Sequence, residues 1–178
     1  QLNVLKHSHG LIRLSYKEAK ACLEFFFTLF PEILEWHNEI TTEVTTYRKL
    51  TNLLGSPRIF GRNLDEGYMR EAISWKPQST VGELTHEMLL HLNSYYKGNN
   101  KRCNILANKH DSGTVEVPDD PSAIAECVEQ MGIGFARELI GRDGVTFKMK
   151  CDAQVGYNWG KYHPEKNPRG MKSYELIK

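Results

Sequence analysis

The chain has 178 residues, 40% hydrophobic and 10% aromatic, with a formal net charge of +1. That composition suits one ordinary packed domain or one lobe of a larger enzyme; it excludes a disordered chain and a polybasic tail, though not a local basic groove. Cys22, Cys103, Cys127 and Cys151 lie far apart with no C-x-x-C pair, and no apolar run approaches the roughly 20 residues of a membrane span, so a reducing cytoplasm without a membrane partner is expected.

The first ten residues resemble neither a signal peptide nor a natural initiation region, which suggests a chain that starts inside a longer one. Ser15 with Glu18 three residues on forms a candidate capping box. Ala19, Cys22, Leu23, Phe26 and Phe30 then recur at helical spacing. Pro31 breaks or restarts the helix, and Ile33, Leu34, Trp36, His37 and Ile40 continue its apolar face. Residues 41–46 are rich in β-branched side chains, and 45–50 with 58–60 read as a short antiparallel pair turning at Gly55-Ser56-Pro57. A long helix is expected from about residue 63–66 towards Tyr96, interrupted at Pro77.

After a polar loop at 98–102 comes a predicted β-hairpin. Asp119, Asp120 and Pro121 then start a helix with Ile124, Ala125, Val128 and Met131 on one face. Residues 145–149 alternate as a strand, 154–159 read as another short one, and the last fifteen residues read as an extended tail.

The hairpin, N-I-L-A-N-K-H-D-S-G-T-V-E-V-P over 104–118, carries the chemistry. Two β-rich runs, 103–107 and 114–117, flank a polar tip with His110 and Asp111; Gly113 is expected to permit the reversal and Pro118 to end the second run. A carboxylate on so rigid an element suits a metal ion. Mg2+ takes carboxylate oxygens but keeps several waters, so one carboxylate rarely builds a site alone. Two-metal phosphoryl chemistry wants at least two carboxylates about metals roughly 3.5–4 Å apart. The hairpin by itself leaves open a solvated turn aspartate that stabilises its own backbone. A phosphohydrolase of the His-Asp type would set the pair on a helix, which the surrounding β-formers oppose.

The run H-E-M-L-L-H over 86–91 is not a zinc-protease helix: its histidines are five apart and point about 140° from one another. Both suit surface or half-buried packing. Arg70, Ser74 and Gln78, four residues apart, lie along one side of a helix and suit contact with acceptors in a nucleic-acid minor groove, or form a plain exposed face. Lys97, Lys101, Arg102 and Lys109 gather around the hairpin in sequence, able to neutralise phosphates or to form a basic loop without function.

Taken together, these segments resemble the C-terminal part of family A DNA polymerases, the family of bacterial DNA polymerase I and many phage replicative enzymes. Leu14-Ser15-Tyr16 with F-P-E-I-L-E-W over 30–36 is similar to the helix pair that follows the family's nucleotide-binding helix. Residues 51–60, T-N-L-L-G-S-P-R-I-F, resemble its T-x-x-G-R-x-R-x-F hairpin. Residues 70–82 resemble its R-x-A-x-N-x-x-x-Q-[GS]-T helix, in register at Arg70 and Gln78. The N-K-H-D-S run at 108–112 with V-E-V-P at 115–118 is similar to the hairpin called motif C, and V-G-Y-N-W at 155–159 to a run near the family's C-terminus. K-H-S-H-G-L-I over 6–12 resembles part of the nucleotide-binding helix but is one residue short.

The resemblance implies an α+β fold: a polymerase palm lobe with antiparallel sheet and catalytic β-hairpin, flanked by helices from the fingers side. Residues 1–43 would be the fingers-side helices and 44–178 the palm portion. The implied function is template-dependent DNA polymerase, transferring a nucleotide from a dNTP to a primer 3′-hydroxyl by a two-metal mechanism with Mg2+, in a bacterial or phage-infected cell. Asp111 would be the metal-binding catalytic carboxylate and His110 would lie beside the primer terminus. Arg70, Ser74, Gln78 and Asn108 would contact primer–template DNA, and Lys6 the nucleotide. Ser74 in place of asparagine and Ser56 in place of arginine depart from the pattern and weaken the contacts expected there; Ser112 replaces a frequent acidic residue. The motif A aspartate has no counterpart, so the remaining N-terminal part of the polymerase, in the same or a separate chain, is an expected partner, and the segment alone is expected to be inactive. Two rivals are a phage-type single-subunit RNA polymerase, whose hairpin also carries His-Asp-Ser, and a catalytically silent palm that grips primer–template.

Overall fold

The computed structural model describes residues 4–7, 10–61 and 63–174. It forms two compact units: Gln1–Leu50 with Arg58–Ile73, and Thr51–Pro57 with Ser74–Lys178. The fold is α+β, as expected, but its strands pair only as two-stranded ladders among the described residues.

The first unit begins with strands β1 (Val4–His7) and β2 (Gly10–Arg13), antiparallel with Lys6 opposite Leu11. This corrects the helix expected there. Ser8 and His9 of that motif lie outside the described residues. Helix α1 (Tyr16–Leu29) starts with the predicted capping box: Glu18 N–H donates to Ser15 Oγ at 3.3 Å, and Ser15 N–H donates to Glu18 Oε2 at 2.7 Å. Phe30 closes α1 and opens α2 (Pro31–Tyr47), whose first residue is the proline that the end of a helix rejects and the start of one accepts.

Helix α2 overruns the strand expected from residue 45. Two threonines there satisfy their hydroxyls on the helix itself, Thr42 Oγ1 to the Asn38 carbonyl at 2.8 Å and Thr45 Oγ1 to that of Thr41 at 2.6 Å. Ile40 and Val44, one turn apart, are buried and hold the helix to its unit. The real ladder joins β3 (Lys49–Thr51) and β4 (Pro57–Ile59). Gly55, at φ +95°, makes the turn. In the first unit the Arg58 guanidinium pairs with Glu71 at 2.5 Å and lies 5.0 Å over the Phe60 ring.

Helix α3 (Glu66–Gly98) is one element of 33 residues, and the interruption expected at Pro77, which lies inside it, does not end the helix. Proline removes the bond that the Ile73 carbonyl would have received. In the second unit Leu84, Met88, Leu89, Leu92 and Tyr96 of α3 form a core with Cys127 and Phe135 of helix α4 (Pro121–Phe135) and with Leu139. The buried positions of α4 are Cys127 and Phe135, while the face expected from sequence is half-buried. Asp120 caps α4, its Oδ2 accepting the Ala123 N–H at 2.9 Å, with Pro121 at the first turn as expected. A methyl group on Gly134 would meet Met88 Cα at 3.0 Å, so α4 crosses α3 at near backbone contact.

Strands β5 (Asn104–Lys109) and β6 (Ser112–Glu116) form the predicted hairpin. Strands β7 (Glu138–Ile140) and β8 (Thr146–Lys148) form another ladder, and β9 (Ala153–Val155) pairs with β10 (Lys172–Tyr174). The expected extended tail is thus tied back as β10, with residues 175–178 outside the described set. Between β9 and β10 the chain folds on itself: Tyr157 donates to Asp119 at 2.7 Å under the Arg169 guanidinium, and Asn158 and Asn167 bond each other at 3.1 and 3.0 Å.

Candidate active site

The hairpin tip is a two-residue turn. Lys109 pairs with Ser112, leaving His110 and Asp111 as the loop, and His110 has φ +53°. Positive φ at the first of two loop residues is the pattern of a type II′ turn, whose twist matches the flanking strands. Gly113, expected to permit the reversal, does not occupy the left-handed region. Its role is packing: a methyl group there would come within 2.8 Å of Leu89 Cδ2 and 2.9 Å of Met88 Cε. The hairpin therefore sits directly on the core face of α3. A register shift between Ile105 and Ala107 adds a bulge, which sharpens the local twist.

Asp111 is exposed at this tip, and among the described residues no hydrogen bond or ion pair engages its carboxylate. A turn aspartate bonded to its own backbone is therefore not what is observed. Ser112 Oγ instead ties the turn, donating to the Lys109 carbonyl at 3.0 Å. His110 and Asn108 are exposed on the same hairpin, with Asn108 opposite Gly113 in the ladder.

Helix α3 flanks the tip. A methyl group on Gly82 would stand 3.6 Å from the His110 carbonyl oxygen. Gln78, exposed and one turn before Gly82, lies on that same side of the helix. Ser74 is half-buried, one turn earlier. Arg70 belongs to the first unit, 72% exposed and paired with Glu66 at 3.1 Å. The structure thus groups Gln78 with His110, Asp111 and Asn108. The side chain of Lys6 is not among those described.

Sequence reasoning missed a second support of α3, on the face turned away from Gln78 and Gly82. Asn52 is buried; its amide donates to Glu83 Oε2 at 2.8 Å, and its Oδ1 accepts the N–H groups of Leu54 at 3.0 Å and Ser56 at 2.9 Å. Thr80, buried on α3, accepts the Leu53 N–H at 3.3 Å. The loop before β4 is thereby fixed to the helix turn between Gln78 and Gly82.

The other titrating groups of this unit are structural. Glu126 accepts from Lys101 and, at 2.6 Å, from Tyr95, and these bonds hold its carboxyl below the ordinary range. Burial pushes the Cys103 thiol up to about 11. His91 bonds Gln130 at 2.9 Å and His86 is exposed, in keeping with packing roles. Of the basic cluster, Lys101 is committed to Glu126, while Lys97, Arg102 and Lys109 are exposed. A depression of about 270 Å3 lined by Tyr96, Lys101, Arg102 and Glu126 does not include the hairpin tip.

No cluster of three His, Cys, Asp or Glu groups able to hold a metal ion occurs among the described residues. Asp111 fits as one member of a divalent-cation site and not as the whole of it.

No family model matches the chain. Over 113 residues it is 28% identical to a DNA polymerase I of Helicobacter pylori, covering 61% of this chain and 13% of that protein. The chain is similar to part of a DNA polymerase I. Its fold is also similar to the POL domain of Pol1 from M. smegmatis, solved in complex with DNA primer-template and dNTP, at a TM-score of 0.59 and 19% identity, over 68% of this chain and 23% of that one. The chain spans less than a quarter of either relative's length. Among the described residues no helix is long and apolar enough to cross a membrane.

Proposed function

We propose that the chain is the C-terminal part of a template-dependent DNA polymerase of family A, of phage type, acting in the cytoplasm on primer–template DNA and dNTPs. The observation that carries this is Asp111: an exposed carboxylate without a partner among the described residues, at the tip of a bulged hairpin seated on a long helix. The likeness to DNA polymerase I and to a polymerase-domain fold supports the same reading.

In this reading Asp111 supplies one carboxylate to the catalytic centre, and a second comes from polymerase residues other than those described. Mg2+ is the implied cofactor; when bound it would neutralise charge on the reacting phosphates. His110 lies beside the primer terminus. Gln78 and Asn108, with Arg70 and Ser74 further along α3, meet primer or template in the minor groove. Its acceptors are shared by every correct pair, so such contacts test pair geometry rather than sequence. Lys6 is assigned to the nucleotide. Residues 1–43 belong to the fingers side and 44–178 to the palm. With one carboxylate the 178-residue segment by itself does not polymerise; the remaining N-terminal part of the polymerase, in the same chain or another, completes it.

Primer extension by the complete enzyme with deoxy- and ribonucleotides tests the assignment. Extension with deoxynucleotides alone is expected; preference for ribonucleotides would make it an RNA polymerase. A second reading is a silent palm that only grips primer–template. It is separated by whether any extension occurs.

A further inference from the structure

Helix α1 contains no buried residue, yet its sequence is built to bury one side. At about 100° per residue, Lys17, Lys20, Glu24 and Thr28 fall within an arc of roughly 80°. Most of the remaining arc is apolar and uncovered: Leu23 is 54% exposed, Phe25 65%, Phe26 42%, Leu29 56% and Phe30 48%, with Cys22 exposed among them. Only Phe27 turns to α2, edge-on to His37 with ring centroids 6.2 Å apart. Phe26 lies beside Phe30, ring centroids 5.1 Å apart and tilted by 50°. A continuous aromatic stripe on a single helix marks a contact surface.

We propose that this face of α1 is where the remainder of the polymerase packs, through an apolar surface of its own. The proposal rests on the polymerase reading above. One observation selects that occupant: the relatives carry several times more polypeptide than this chain, which covers 13% and 23% of them. A lipid surface is disfavoured because Glu18, about 100° round the helix from Lys17, stands among the apolar positions between Phe25 and Leu29, where a bilayer would have to take up its charge.

Cys22, in the middle of the stripe, reports on it directly. Its maleimide labelling rate, read by mass spectrometry, is compared in the 178-residue chain and in the complete polymerase, whether one polypeptide or two. The expected result is at least a tenfold slowing in the complete enzyme, reversed by Phe26→Asp. That exposed substitution leaves the circular dichroism of the isolated chain unchanged. Equal rates in both forms overturn the proposal. So does protection of the isolated chain that rises with its own concentration, which marks a homodimer face, or protection that needs phosphatidylglycerol vesicles, which marks a membrane face. A complete protein that protects Cys22 but extends no primer would sink the polymerase reading and leave the packing surface standing.

Discussion

Gly82 of α3 faces the carbonyl oxygen of His110, with room for one methyl group at 3.6 Å and for little more. The helix therefore sets the height of the hairpin tip that carries Asp111. Replacing Gly82 by alanine is expected to keep primer extension and to raise stability by about 0.5–1 kcal/mol, because glycine is costly inside a helix. Gly82→Leu is expected to push the tip away and slow extension by about 100-fold, the scale of a 1 Å misplacement of a reacting group. Thermal melting and primer extension on the two variants check both halves. Full activity in the leucine variant would mean that the helix does not hold the tip.

Asn52 bonds Glu83 and two backbone N–H groups from a buried position. Leucine at 52 leaves those partners unsatisfied, so Asn52→Leu is expected to cost about 2–4 kcal/mol in urea unfolding, on a scale of about 1–3 kcal/mol for each buried group left unpaired. A loss under 0.5 kcal/mol would show that water replaces the amide freely.

The hairpin, the capping box and the cap of α4 were legible because each is written in local chemistry: Ser15 with Glu18, Asp120 before Pro121, β-formers on both sides of His110 and Asp111. Helix α2 was misjudged at its end because threonine's β preference was weighed without its option of bonding back to the helix. Gly113 was taken for a turn residue although the turn belongs to His110, and only the tertiary contact with Met88 and Leu89 explains it. Asn52 meets Glu83 across 31 residues of sequence and Thr80 meets Leu53 across 27, pairings no local pattern encodes.

Glu126 gives the chain an acid-sensitive clamp. Its bonds from Lys101 first and Tyr95 second favour the ionised carboxylate, so its folded pKa lies below the unfolded one. That contribution is complete above the ordinary glutamate value of 4.5 and is lost as pH falls through the lowered folded value. Urea midpoints followed from about pH 7 to 3 are expected to drop in the acid range, and Glu126→Gln to remove part of that drop. An unchanged acid profile in the variant would contradict the clamp.

Gln78 shares a side of α3 with the hairpin tip. Gln78→Ala is expected to alter extension from matched and mismatched primer ends unequally, with matched ends losing about tenfold more, since one lost hydrogen bond to a groove acceptor is worth about 1–2 kcal/mol. Equal effects on both ends would remove the minor-groove assignment.

The carboxylate of residue 111 carries the polymerase reading. Single-turnover primer extension by the complete polymerase should fall by about three to five powers of ten on Asp111→Ala, while primer–template affinity stays within about threefold, because the loss is confined to charge stabilisation in the transition state. An Asp111→Ala enzyme that extends primers at the unaltered rate would contradict it.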